Sequence, residues 1–459
     1  MTPIQLPYSE NYLGLLDQIR TLPYFIVFDS SNQQLTNDSP IIATALPERW
    51  LSMETPDHGE EFKIDKTLKY SVQGSFQTKD LSKIVTDTAL KSVSGHFQTG
   101  WAGYLSYEFG YQQNHLSIED INYPLLKIGL YLWSLRIDVA QQQISVYFHP
   151  KCPDTIRKTV LQRINNHCPA KTHFTLGTTF QRESSSDRYL KDIARIQDYL
   201  IEGDCYQVNY THSLSAQYQG DPWVPYHRLR AHSPAPFSGF FDTGSLVISS
   251  HSPEQFISVN GHTIITKPIK GTRPRGQSPE EDKALAQELL HSEKDQAENL
   301  MIVDLLRNDL SKTSIPGSMQ VNTLFGLESY ANVHHLVSTI TAELSEQKSA
   351  MSCFLASYPG GSITGAPKRR AMEVIAELEH QQRGPYCGSL FYLDLNGHFN
   401  SSIMIRTLAY MNGTVRAWGG GGIVIDSDPE MEQLESLTKI NNLIQLLEDE
   451  FLGTSEKQE

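Results

Sequence analysis

The chain has 459 residues, 39% hydrophobic and 20% charged, with a formal net charge of −14. That charge disfavours nucleic acid and acidic membranes, and any small dianion not met by a local cationic site or a metal. No apolar run of roughly 18 residues suggests a membrane span, the start lacks a signal-peptide pattern, and five scattered cysteines (Cys152, Cys168, Cys205, Cys353, Cys387) form neither a disulfide framework nor a zinc spacing, so a cytoplasmic location is expected.

From the start to Pro153 the chain reads as mixed short strands and turns, such as Tyr24–Phe28 and Ile144–Phe148. Gly100–Glu108 alternates small and aromatic residues, the pattern of a buried strand packed close to another backbone. A boundary is expected between Pro153 and Arg182, giving regions 1–153 and 182–450. Helix Tyr189–Glu202 then stops at Gly203. Asn260-Gly261, Asn396-Gly397 and Asn412-Gly413 mark type I′ hairpins, because both central residues need positive φ. They join Gln255–Val259 to Thr263–Pro268, Leu390–Leu395 to Phe399–Tyr410, and that strand to Thr414–Trp418. Helical patterns over Pro279–Leu310, Lys368–Glu379 and Pro429–Leu447 alternate with these hairpins. The expected class is α+β, with antiparallel sheets and helices outside.

Several residues carry chemistry. Lys270, in Pro268-Ile269-Lys270-Gly271-Thr272, ends a strand beside a turn and can be a nucleophile aimed into a pocket. Glu298 shares a helix face with Ile302 and Leu305, so it is salt-bridged or metal-bound. Asp428 is a candidate N-cap and Pro429 the first helical residue. Glu432, Glu435, Ser436 and Lys439 then share one face, which either holds Mg²⁺ beside an anion or is a solvated face with an i,i+4 pair. Gly419–Gly422 links two strands, as an anion-binding backbone or a tight sheet crossing. Gly360–Lys368 superficially resembles a P-loop, but Pro367-Lys368-Arg369 replaces the required Gly-Lys-Ser/Thr. Arg406 interrupts an apolar strand and needs a carboxylate from protein or ligand. His335 is an acid, a base or a hydrogen-bonded core histidine.

Taken in order, these motifs resemble the chorismate-utilising enzymes over essentially the whole chain, most strongly from Asp187 to Leu447. They include Asp204–Asn209, Ser252-Pro253-Glu254, the 268–272 motif, Asp304–Leu310, Gly360–Lys368, Arg406-Thr407, Gly420–Ile423 and the Glu432–Lys439 helix. Within the family the likeness is closest to aminodeoxychorismate synthases, with anthranilate synthase component I as the alternative. The resemblance implies a sandwich fold with the active site between large sheets, and Mg²⁺ held by Glu298 and Glu435 with Glu432 nearby. It implies that chorismate meets Arg406, Tyr386, Lys439 and the amides of Gly420, Gly421 and Gly422. Gly271, Thr272, Thr364 and Gly365 would line the same pocket.

Two positions select the reaction that the resemblance implies. Gln207 stands where the isochorismate and salicylate synthases carry a water-activating lysine, which points to ammonia as the nucleophile. Lys270 stands where anthranilate synthases carry alanine. The implied product is 4-amino-4-deoxychorismate, on the way to p-aminobenzoate and folate, with Glu254 as general acid/base. No cysteine lies in a glutaminase context, so a glutamine amidotransferase subunit is the expected ammonia source, in a heterodimer. A nonenzymatic ligand-binding regulator is the third reading, and the intact Glu298, Glu435, Lys270 and Arg406 argue against it. The chain departs from the family at Leu390-Phe391-Tyr392, in having Ser436 for threonine, and at Val27-Phe28-Asp29-Ser30, where a tryptophan-binding motif is typical.

Overall fold

The computed structural model describes residues 3–30, 40–53, 78–86, 97–114, 116, 122–166, 173–330 and 333–453. Two large antiparallel sheets face each other, one of 13 strands and one of 10. Aromatic side chains fill the space between them: Phe241 of the first sheet meets Tyr104 and Trp50 of the second, and Phe28 meets Tyr392. Burying such side chains supplies the main driving force for closing the sandwich. The α+β expectation holds, with helices packed outside the sheets.

Regions 1–153 and 182–450 are not separate in space. The first sheet orders strand Ile26–Asp29 beside Phe237–Asp242. The second orders Gly100–Leu105 beside Ser389–Asp394. The strand read in Gly100–Glu108 is fully buried, and a Cβ on Gly103 would stand 2.1 Å from the Lys127 carbonyl oxygen. That contact explains the small residues.

Four local expectations are corrected. Of the three Asn-Gly turns only Asn412-Gly413 is type I′, with φ of 52° and 75°; Asn260 and Asn396 do not take positive φ, and Asn260 pairs with Thr263 so that the turn is centred on Gly261-His262. The helix read over Pro279–Leu310 is two helices, Pro279–Leu290 and Glu293–Ser311. Ser292 caps the second by accepting the Asp295 N–H at 3.3 Å, which turns the chain where periodicity alone saw continuity. Gly419–Gly422 is not a connection but the end of one strand, Thr414–Ile423, paired with Gln207–Gly220. The strand read over Phe399–Tyr410 is split: Phe399–Ile403 lies in the second sheet and Thr407–Met411 in the first.

That split positions the site. The chain passes from the first sheet to the second between strands Val247–Ser252 and Gln255–Asn260, and back again between Ile403 and Thr407. The two passages lie side by side. Ile403 N–H donates to Glu254 O at 3.1 Å, His251 N–H donates to Arg406 O at 3.0 Å, and Ser252 Oγ donates to Ile403 O at 2.5 Å. An acid and a cation, Glu254 and Arg406, are thereby fixed at neighbouring crossings between the sheets.

Candidate active site

Lys270 sits at a bulge rather than at a strand end. In strand Ile269–Pro274, Ile269 faces Val337 and Thr272 faces His335, so one extra residue is accommodated. Bulges re-aim side chains. Gly271 takes φ 78°, and a Cβ there would lie 2.8 Å from Leu289 Cδ1 and 2.9 Å from Asp295 Cγ. Glycine is needed on both counts. The Lys270 ammonium lies 3.9 Å from Glu298 Oε2, and both side chains are largely buried.

Glu254 is 5% exposed and accepts from Ser362 Oγ at 2.8 Å. Burial pushes its carboxyl up to about 7, although Ser362 and the Lys270 charge pull it down. It therefore changes protonation near neutrality, as a general acid/base must. His335 is pushed down to about 3 by burial and by the Arg406 charge, against a hydrogen bond with the Gly271 backbone. Its neutral ring bonds Thr272 Oγ1 at 2.9 Å, which braces the Gly271-Thr272 turn.

Arg406 has φ 50°, and no ion pair to its guanidinium is present among the described residues. Burial alone lowers its pKa. A desolvated, unpaired guanidinium is costly and matches an incoming carboxylate. Arg406 stands where the first sheet's ladder ends: Thr407–Met411 pairs the glycine-bearing strand only as far as Ala417. Beyond it, Gly420 and Gly422 turn their amide groups to an edge without a strand partner among the described residues, while Gly421, opposite Tyr210, faces the paired strand. A Cβ on Gly421 would lie 3.1 Å from Glu432 Oε2 and 3.7 Å from Lys439 Nζ, so the missing side chain leaves room between a carboxylate and an ammonium.

Gln207 opens strand Gln207–Gly220, fully buried, with neither amide atom hydrogen-bonded. A Cβ on Gly422 would stand 1.9 Å from its side-chain Nε2, and one on Gly365 would stand 2.2 Å from its backbone carbonyl oxygen. Orphaned amide groups in a core cost on the order of 1–3 kcal/mol each, and they mark a place for a polar ligand. Thr364 is buried beside it and donates Oγ1–H to Gly360 O at 3.0 Å. Tyr386 stacks on Trp418 at 5.8 Å with the rings 5° apart. Burial raises its phenol well above the ordinary range, so it remains a donor.

Asp428 caps helix Pro429–Phe451 by accepting the Met431 N–H at 2.9 Å. Glu432 is buried and takes a hydrogen bond from Ser427 Oγ at 2.8 Å. Ser436 bonds His212 Nε2 at 2.9 Å, which ties this helix to the sheet. Lys439 donates to Gly420 O at 3.1 Å and pairs with Glu435 at 2.8 Å, so the solvated i,i+4 pair and the site-facing lysine are the same feature.

Among the described residues, no three His, Cys, Asp or Glu side chains form a ready-made cation cluster. Glu298 nevertheless feels Asp295 and Glu432, which with burial raise its proton affinity against the pull of Lys270 and Lys294. Glu435, by contrast, is held below the ordinary carboxylate range by Lys439. Hard carboxylate oxygens, few in number, suit Mg²⁺, which keeps waters and takes substrate oxygens. Lys294, Ser362, Ser427 and Trp418 belong to this constellation and were not read from the sequence. Lys368, by contrast, is buried between Asp309 (2.5 Å) and Ser357 O (2.8 Å), which makes it a structural tie.

Two departures from the family pattern lie elsewhere. Leu390 and Tyr392 border a cavity of about 300 Å³ with Phe28, Asp29 and Phe237. Asp29 is engaged there by Arg230 and by Tyr226 Oη.

A family profile described as chorismate binding enzyme matches residues 48–445. The chain is 43% identical over 357 residues to aminodeoxychorismate synthase component 1 of Salmonella typhimurium, covering 77% of this chain and 78% of that protein. It is 40% identical over 269 residues to anthranilate synthase component 1 of Thermus thermophilus, covering 59% and 58%. The solved anthranilate synthase component I from Streptococcus pneumoniae superposes with a TM-score of 0.75 at 27% identity, over 88% of this chain and 91% of that one.

Proposed function

The chain belongs to the chorismate binding enzyme family, and we propose that within it the chain is the large component of an aminodeoxychorismate synthase. It converts chorismate and ammonia to 4-amino-4-deoxychorismate, which leads to p-aminobenzoate and folate. The observation that carries this reading is Lys270 at its bulge, 3.9 Å from Glu298 and coupled to the buried acid Glu254. The relative with the longer match supports it too, since the anthranilate synthase match covers less of both proteins.

Arg406, Tyr386, Lys439 and the edge-facing amides of Gly420 and Gly422 bind the two carboxylates and fix the ring. Glu298 and Glu435, with Glu432 nearby, would hold Mg²⁺, which supplies charge neutralisation and orientation at a substrate carboxylate. The Lys270 amine attacks ring carbon 2, the ring double bond shifts, and the bond from carbon 4 to its hydroxyl breaks. Glu254 gives the departing hydroxyl its proton, and water leaves. Ammonia then adds at carbon 4, the double bond shifts back, and the bond from carbon 2 to Lys270 breaks. The Glu254 carboxylate recovers the proton that ammonia releases. The sum is chorismate plus ammonia giving the amine plus water. Gln207 presents an amide beside this path and cannot act as the base that water attack requires. Neutral His335 holds Gly271-Thr272 in place.

Ammonia comes from a separate glutamine amidotransferase. Burial pushes the thiols of Cys152, Cys205 and Cys353 up to about 11 and that of Cys387 to about 12, so no described cysteine is a ready thiolate. The test uses chorismate with Mg²⁺ and no ammonia. Intact-mass analysis should find a chain heavier by one dehydrated chorismate, mapped to Lys270 and absent from Lys270→Ala. Repeated absence of the adduct, together with turnover in Lys270→Ala, would refute the mechanism.

A further inference from the structure

Lys294 stands in the first turn of helix Glu293–Ser311 and reaches across the mouth of the site. Its ammonium lies 3.6 Å from Glu432 Oε1, on helix Pro429–Phe451. Although burial opposes its charge, the attraction of Glu432, Glu298, Glu435 and Asp295 keeps that charge in place. One ammonium thus bridges the two helices that carry Glu298 and Glu435. Its side chain is 59% exposed, so it can swing into water at small cost. Lys270 and Lys439 also touch this group, but Lys270 is only 12% exposed and confined by the bulge, and Lys439 pairs with Glu435 of its own helix and is held by Gly420 O. Glu298 and Glu435 have Lys270 and Lys439 as partners, whereas Lys294 is the partner of Glu432. With both an ammonium and a divalent ion at the same carboxylates, the two cations repel.

We propose that Lys294 is a positioning residue that stands in for the divalent cation: in the metal-free protein it holds Glu298, Glu432 and Glu435 together, and Mg²⁺ enters by displacing it. This rests on the reading that these glutamates hold the metal. The lysine keeps the mouth from springing open between turnovers and makes metal loading a cation exchange.

The test is Mn²⁺ binding to the full chain without chorismate, followed by the electron paramagnetic resonance of free Mn²⁺. Lys294→Met keeps the stem and removes the competing charge. It should tighten Mn²⁺ by up to about five-fold, the range expected for loss of an exposed ion pair. Lys294→Arg should bind as the wild type does, and Glu298→Gln should bind more weakly. Equal or weaker binding by Lys294→Met overturns the proposal, as does Mn²⁺ binding indifferent to Glu298→Gln. Absence of Mn²⁺ binding in the wild type overturns it together with the metal assignment. The amination reaction is judged separately, by its product.

Discussion

Replacing Glu254 with glutamine keeps the side chain's shape and removes its charge. The Ser362 hydroxyl, 2.8 Å from Oε1, still finds an acceptor. In the folded chain the carboxyl is raised from 4.5 to about 7 by burial. A raised acid contributes stability that is fully present below the unfolded value and is lost as pH rises to the folded value. Above pH 7 the native state holds a buried carboxylate that the unfolded state hydrates freely. At about 1.36 kcal/mol for each pH unit between the two values, the cost is about 3 kcal/mol. Glu254→Gln should recover that amount at pH 8.5 and nothing at pH 4, where both states carry the proton. With about 2.1 cal/mol/K of unfolding entropy per residue, 459 residues convert this into a Tm rise of about 3 °C. Calorimetric melting of both proteins at the two pH values checks the difference. Turnover should move the other way and fall by about 10²–10⁴, the usual contribution of a placed general acid/base. A variant that is no more stable than wild type at pH 8.5 would refute the argument that burial raises the Glu254 carboxyl to near neutrality.

Other substitutions separate binding from folding. Gly421→Ala places a methyl between Glu432 and Lys439, so KM for chorismate should rise at least about ten-fold with Tm nearly unchanged. Gly422→Ala collides with Gln207 at 1.9 Å, and should lower Tm as well as activity, by about 1–3 kcal/mol of stability in denaturant titration. Arg406→Met removes an unpaired buried cation, and should abolish measurable chorismate binding in calorimetric titration while leaving stability equal or higher. Arg383→Met is the contrast: it breaks a fully buried pair with Glu379 at 2.6 Å, and should cost about 3–5 kcal/mol in denaturant melts.

The parts legible in the sequence were those with short-range causes. Asp428-Pro429 marked a helix start because a cap and a first-turn proline act within four residues, and the structure places both there. Asn412-Gly413 marked a type I′ hairpin because both central residues need positive φ, and there they take 52° and 75° between paired strands; at Asn260-Gly261 the hairpin forms but the turn is shifted by one residue. The missed features depend on distant chain. An apolar run over Phe399–Tyr410 has the same period whether it stays in one sheet or passes between two, so the crossing that makes Arg406 useful was invisible. The bulge at Lys270 exists only relative to Val333–Glu343. Ser292, with Asp295 three residues on, did carry a cap signal, but helical periodicity on both sides hid it. Lys294 carries no local signal, because its partner Glu432, 3.6 Å away, lies on a helix far along the chain. The orphaned amide of Gln207 likewise becomes evident only once two glycines close on it.

Product analysis tests the central claim most directly. Purified chain, chorismate, Mg²⁺ and ammonium at alkaline pH are followed by mass spectrometry and a pyruvate assay. The account predicts an aminated product that keeps its enolpyruvyl group, with no pyruvate released. Anthranilate with stoichiometric pyruvate would contradict it and assign Lys270 a role other than the nucleophile.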